Sequence, residues 1–199
     1  SYIIGFVAFT LLLIVCGLLW QLRNHKKILA LSIRDPLSGL YNRRYLFDYV
    51  NRFLEHSQAD KSNLQLVMID IDDFKQLNDK YGHPFGDKVI RALATVSIKA
   101  LRTEDVMGRV GGEEFLCVLP RVDSLQGNVV AQRIRESISE QVFKTDCGEE
   151  ISITVSIGLA GMSQKYNDVN TLYSNADKAM YYSKSKGKNM VTVYEDIYA

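Results

Sequence analysis

The sequence has little of what marks a disulfide-built or metal-caged protein. Its 199 residues include 3 cysteines, 3 histidines, 3 prolines and a single tryptophan. Cys16, Cys117 and Cys147 are odd in number and spaced for neither a disulfide framework nor a zinc site, which predicts reduced, structural thiols. An excess of one charge sign is also missing, since 24 basic residues meet 23 acidic ones for a net charge of +1. No overall field draws the protein to nucleic acid, so any anion it binds must be held by a local site. Internal repeats and low-complexity tracts are absent as well. With 47% hydrophobic and 24% charged residues, the chain has apolar material for one ordinary globular domain and a short appendage.

Charge is lacking altogether from Tyr2 to Trp20. A bilayer-crossing helix needs about 20 apolar residues, so residues 1–21 are expected to be a transmembrane helix, with residues 2–20 in the membrane. Arg23, Lys26, Lys27 and Arg34 follow the run instead of preceding it. That order argues against a signal peptide and puts everything downstream in the cytoplasm. The chain opens on Ser1 with no initiator methionine, and a sensing portion ahead of it is expected. Leu22, Leu29 and Ile33 form a rough helical stripe over residues 22–34, expected to be a linker helix. It is either a helix fraying out of the membrane or a signalling helix paired with its copy, and the stripe is too short to choose.

From Asp35 onward helical and strand patterns alternate. Helices are predicted over residues 43–55, 86–101 and 124–139, and a last one carries Leu172, Ala176, Ala179 and Ser183 on one face before Gly187. Strands are predicted over residues 64–70, 106–110, 114–119, 151–160 and 190–194. A hairpin interrupts the alternation, so the fold class is α/β with a mixed central sheet flanked by helices.

Two places carry chemistry. The apolar strand Leu64 to Asp70 gives way abruptly to Asp70-Ile71-Asp72-Asp73-Phe74-Lys75. Asp72 or Asp73 suits the cap of a following helix, which leaves Asp70 as the candidate ligand for a hard divalent cation. The second place is Arg109-Val110-Gly111-Gly112-Glu113-Glu114-Phe115. A Gly-Gly pair between strands predicts a tight hairpin with both glycines at positive φ. Strand alternation then sends Glu113 and Glu114 to opposite faces, so that only one, Glu113 beside the turn, joins Asp70. Lys184 and Lys188 stand four apart near a helix end, which suits either phosphates or the negative end of the helix dipole. Arg102 and Asp105 alone would be an ordinary surface ion pair.

Taken together, these motifs resemble the GGDEF family of diguanylate cyclases. The likeness opens on Asp35-Pro36-Leu37-Ser38-Gly39-Leu40-Tyr41-Asn42-Arg43-Arg44, with Ser38 where Thr is usual. It continues through Asp70-x-Asp72-x-Phe74-Lys75-x-x-Asn78-Asp79, Gly82-His83 and Gly86-Asp87, then the signature in its Glu-Glu form, and closes on Lys184-Ser185-Lys186-Gly187-Lys188-Asn189. Several spaced motifs in order are far more specific than Gly-Gly-Glu-Glu-Phe alone.

The resemblance implies a palm-like nucleotidyl cyclase fold over residues 35–199 and an enzyme that condenses two GTP into cyclic di-GMP and two pyrophosphates. Each domain presents one GTP site, so a homodimer is implied. Two Mg²⁺ or Mn²⁺ ions per half-site would be held by Asp70, the Ile71 carbonyl and Glu113. Glu113, Lys184 and Lys188 take the catalytic roles, Lys188 standing where Arg is common, which weakens bidentate phosphate contact. Phe74, Lys75, Asn78, His83, Asp87, Gly111 and Gly112 would bind substrate, with Asn78 and Asp87 reading guanine edges. Arg102, Asp105 and Arg133 match an inhibitory site for the product. An anchor in the inner (cytoplasmic) membrane completes the expectation. Two rivals are a catalytically silent module, which typically loses acids or glycines of the signature, and a cyclase closing a single nucleotide, which the complete guanine-reading set argues against.

Overall fold

The computed structural model describes residues 11–21, 33–60, 63–145, 147–163 and 167–197. It divides into two units, Ser1–Ile33 and Arg34–Ala199. In the first unit, residues 11–21 form helix α1, exposed along its whole length. Among the described residues no helix is long and apolar enough to cross a membrane. The first half of the predicted span lies outside the described residues, as do residues 22–32 of the predicted linker helix. At its predicted end, Arg34 is not helical. Arg34 makes an isolated antiparallel bridge to Tyr41 instead, because Pro36 and the turn after Asp35 redirect the chain.

The second unit is organised by β2 (Leu64–Ile71), whose eight residues are all buried. It pairs antiparallel on one side with β4 (Glu114–Pro120) and on the other with β7 (Val155–Gly161). Three shorter strands, β1 (Tyr41–Asn42), β3 (Val106–Arg109) and β8 (Val191–Val193), extend the sheet to the order β1-β3-β4-β2-β7-β8. The β1–β3 and β7–β8 pairs are parallel, so the sheet is mixed, as the interrupted alternation predicts. A separate ribbon pairs β5 (Val142–Lys144) with β6 (Glu150–Ser152). The strand predicted over 151–160 thus breaks in two. Asp72 causes the break by taking the Thr154 hydroxyl on its carboxylate at 2.7 Å and donating its amide to the Thr154 carbonyl at 2.9 Å.

Alternation along β2 divides the core. Val67, Ile69 and Ile71 face Val89, Leu93, Val130 and Ile134 of α4 (His83–Lys99) and α5 (Ser124–Ser139). Leu66 and Met68 face Leu46 and Val50 of α2 (Arg43–Asp60) and Leu172 and Ala176 of α6 (Val169–Ser185). Each fully buried Leu or Ile contributes about 1.5–3 kcal/mol, so this central strand is held rigidly on both faces. Short helices α3 (Phe74–Tyr81) and α7 (Tyr194–Ile197) complete the unit. Helix α5 starts where predicted because Asp123 and Gln126 form a capping box. The helix predicted from Gly86 starts earlier, at His83, with a proline in its first turn.

Candidate active site

The carboxyl end of β2 emerges from the core with Asp70 at its rim. Lys184 Nζ from α6 lies 2.6 Å from Asp70 Oδ1, and the Asp70 side chain is only 7% exposed. Burial pushes the carboxyl pKa up to about 6; Lys184 opposes the shift, while the negative charges of Glu113 and Glu114 add to it.

Two expectations about the hairpin are overturned here. Asp70 stands directly across from Glu114 in the β2–β4 register, so these two carboxylates share a face of the sheet. Glu113 precedes the strand, which begins at Glu114, and alternation does not govern where it points. Both glutamates therefore act on Asp70, with the Glu113 carbonyl also accepting the Ile71 N–H at 3.4 Å. Glu114 is the residue that sequence reasoning set aside, and only the strand register could have recovered it. The other overturned expectation concerns φ: neither Gly111 nor Gly112 takes a positive value. Four residues, 110–113, connect β3 to β4 instead of two, and a Cβ on Gly111 would collide with the Glu114 carboxylate. Glycine at 111 makes room for Glu114.

The turn after β2 is built differently from the predicted cap. Asp73 is the residue before α3, in the left-handed region at φ 55°, and its side chain caps nothing. It accepts from Lys188 Nζ at 2.7 Å. Asp72 is consumed structurally, accepting from Ser156 Oγ at 2.6 Å and the Asn189 amide at 3.0 Å besides Thr154. Lys184 and Lys188 do not share a helix face, since α6 ends at Ser185 and Lys188 lies in a turn with φ 63°. They nonetheless converge, one on Asp70 and the other on Asp73.

One helical turn into α3, Asn78 Oδ1 is buried with no hydrogen-bond partner in the structure. Gly86 lies against it, and a Cβ there would strike Asn78 Oδ1 and crowd the buried Phe74 ring. An amide held under a bare backbone, with its oxygen unsatisfied, is arranged for a ligand donor. Asp87 is near at hand, 3.9 Å from Arg91. His83 and Lys75 are exposed, His83 as the first residue of α4.

An arginine the sequence reading did not select holds the signature loop. Arg109 donates to the Gly112 carbonyl through Nη2 at 2.6 Å and Nε at 3.1 Å, and to Asp35 Oδ1 through Nη1 at 3.2 Å. The donor fork thus ties the loop to the first residue of the matched motif. An arginine next to a Gly-Gly turn was the available signal, but its acidic partner is distant in sequence.

The residues matched to an inhibitory site gather around the end of α4. Asp105 Oδ2 accepts the Arg102 backbone N–H at 2.8 Å, so the two close a turn. Burial raises the Asp105 pKa against the pull of that amide, and its Oδ1 is buried without a partner. Arg102 and Asp105 line a cavity of about 260 Å³ together with Arg34 and Tyr41. Arg133 donates to the Ala100 carbonyl and lines a different hollow of about 270 Å³. Of the three cysteines only Cys117 is buried, and Cys16 and Cys147 are exposed, so the prediction of structural thiols fits Cys117 alone.

Among the described residues no three His, Cys, Asp or Glu side chains converge as a ready-made metal cage. Asp70, Glu113 and Glu114 at a shared rim do suit a cation that takes one or two carboxylates and completes its shell with phosphate oxygens.

Comparison with known proteins agrees with the geometry. The family described as "Diguanylate cyclase, GGDEF domain" matches residues 32–190. The chain is 34% identical over 184 residues to the probable diguanylate cyclase DgcT of Escherichia coli strain K12, covering 92% of this chain and 40% of that protein. It is 35% identical over 173 residues to diguanylate cyclase A of Treponema denticola, covering 85% and 46%. It therefore spans less than half the length of these curated relatives. Among solved structures, the GGDEF domain of DgcB from Caulobacter crescentus, in complex with c-di-GMP, superposes with a TM-score of 0.79 at 32% identity, covering 82% of this chain and 96% of that one. A mixed sheet ending in Asp70 and Glu114, a signature loop at Gly111–Gly112 and a family match from residue 32 to residue 190 lead to one conclusion: the chain belongs to the GGDEF family of diguanylate cyclases.

Proposed function

We propose that residues 35–199 condense two GTP molecules into cyclic di-GMP with release of two pyrophosphates, as a homodimer in which each domain holds one GTP. The observation that carries this reading is the gathering of Asp70, Glu113, Glu114 and Lys184 at one sheet end, with the unpartnered Asn78 side-chain oxygen one turn into α3.

In each half-reaction a ribose 3′-oxygen forms a bond to the α-phosphorus of the partner's GTP. The bond from that phosphorus to the bridging oxygen of the β-phosphate breaks, pyrophosphate leaves, and the hydroxyl proton passes to a base. Glu113 is the candidate acceptor. Lys184 and Lys188 are point charges for phosphate oxygens, released from Asp70 and Asp73 when substrate supplies stronger anions. Gly111 and Gly112 let phosphates approach the backbone. Phe74 lies buried beside Gly86 behind the base site, Lys75 and His83 are exposed near it, the Asp87 carboxylate accepts from guanine N–H donors, and the Asn78 amide supplies the complementary donor and acceptor. Two Mg²⁺ or Mn²⁺ ions per half-site would be held by Asp70, the Ile71 carbonyl and Glu113, with Glu114 available beside them, and would supply neutralisation of phosphate charge and activation of the hydroxyl. No nucleic acid is proposed as a partner, because a net charge of +1 supplies no overall attraction to one.

Product inhibition is assigned to Arg102, Asp105 and Arg133. The unpartnered Asp105 Oδ1 at the Arg102 cavity supports the first two, while Arg133 reaches the same end of α4 from another side. The uncharged run of residues 2–20, followed by four basic residues, supports a single-pass anchor in the inner membrane with the domain in the cytoplasm. Incubation of the chain with GTP and Mg²⁺, followed by chromatography of the nucleotides, tests the activity. Cyclic di-GMP is expected, and its absence from dimeric protein sinks the proposal.

A further inference from the structure

The α3–α4 corner presents a mechanical problem. Helix α3 has 8 residues, too few to be stable by itself, and it turns into α4 through Gly82 at φ 84°. Yet Asn78 in α3 and Gly86 and Asp87 in α4 must keep a fixed relation if a base is to be read between them. Within the corner, Tyr81 packs on Phe85 with ring centroids 5.3 Å apart. The second support comes from far away in sequence. Glu149, in the connection between β5 and β6, accepts from Tyr81 Oη at 3.0 Å on one carboxylate oxygen and from Lys80 Nζ at 3.3 Å on the other. Glu149 is itself fixed: its amide donates to Thr145 Oγ1 at 3.0 Å, and its carbonyl accepts the Thr145 amide at 2.9 Å. A further tie runs from Lys88 Nζ to the Lys144 carbonyl at 3.0 Å, so the ribbon braces both helices of the corner.

We propose that Glu149 is a positioning residue for guanine recognition, holding the last turn of α3 so that Asn78 meets the base. This rests on the GTP reading given above. Glu149 touches no substrate; it acts through Tyr81 and Lys80 on the helix that carries Asn78. Lys80 and Glu149 are well exposed, so the ion pair alone contributes little. The hydrogen bond to the partly buried Tyr81 carries most of the effect, on the scale of about 1 kcal/mol for one such bond, or roughly fivefold in affinity.

Steady-state kinetics on the full chain with GTP and with ITP, whose base lacks the 2-amino group, test this. In Glu149→Ala, KM for GTP should rise about threefold to tenfold, with kcat within twofold of the parent and less discrimination against ITP. Glu149→Gln keeps an oxygen for Tyr81 and should recover most of the loss. Tyr81→Phe should raise KM similarly, and its combination with Glu149→Ala should be no worse than either single change. An unchanged KM in Glu149→Ala, or a fall in kcat and melting temperature with no change in KM, overturns the positioning role. Failure of the parent chain to bind or turn over GTP would instead overturn the functional reading beneath it.

Discussion

Asp70 shows at the scale of one residue how function and stability oppose each other. Its carboxyl is pushed up to about 6 by burial, which outweighs Lys184. A carboxyl whose folded pKa exceeds its unfolded value destabilises the fold above that folded pKa, and the penalty fades as pH falls through 6 toward the unfolded value of 3.8. Asp70→Asn is therefore expected to abolish turnover yet leave the metal-free fold about 1 kcal/mol more stable at pH 7.5, after allowance for solvent screening. That advantage should vanish near pH 4, as denaturant titrations at the two pH values will show. Glu113→Ala should lower kcat by about a hundredfold or more and leave the melting temperature unchanged, because Glu113 lies in a turn outside the core. Glu114→Ala is expected to do comparable harm, since Glu114 stands across from Asp70. Full activity in either variant would remove that residue from the site.

Among the elements, the signature turn depends on a clamp that no local pattern shows. Arg109 joins the Gly112 carbonyl to Asp35, and both Arg109 and Asp35 are mostly buried. Burial disfavours the Asp35 carboxylate, but two hydrogen bonds from Ser38 and the charge of Arg109 outweigh it, and its pKa lies below the usual value. The lowered pKa means that this stabilisation is complete at neutral pH and is lost as pH falls below about 4. Arg109→Ala should cost about 1–2 kcal/mol at pH 7, a loss of several degrees in melting temperature, and the gap to the parent should narrow at pH 3. Elements were legible where burial patterns are long and unambiguous, as in β2 and α5. They were misread where a distant side chain intervenes. Asp72 breaks the predicted 151–160 strand, and the Ala100 end of α4 is held by Arg133.

At the scale of the whole molecule the proposed reaction requires two domains to meet, because it gives each domain one GTP and joins two nucleotides in the product. Specific activity should therefore fall on dilution, with turnover rising more than linearly with protein concentration until dimer saturates, as initial-rate series across concentration will reveal. A linear dependence down to concentrations where sedimentation shows monomer would exclude a two-domain reaction. Arg102→Ala is expected to raise final product yield severalfold by weakening feedback. Equal inhibition of parent and variant by added cyclic di-GMP would remove Arg102 from the inhibitory site.

The sequence alone determined the mixed α/β class, the central buried strand, the family resemblance and the identity of the motif residues, because these depend on local periodicity and on spacing along the chain. It could not determine which side chains meet. That Glu114 faces Asp70 follows from a strand register set across two chain segments, and that Lys184 and Lys188 reach Asp70 and Asp73 follows from where α6 ends. Asp72, which resembles a site acid in the motif, is spent on hydrogen bonds to residues more than eighty positions away. Such pairings depend on how buried surfaces pack together, and only the folded sheet decides them.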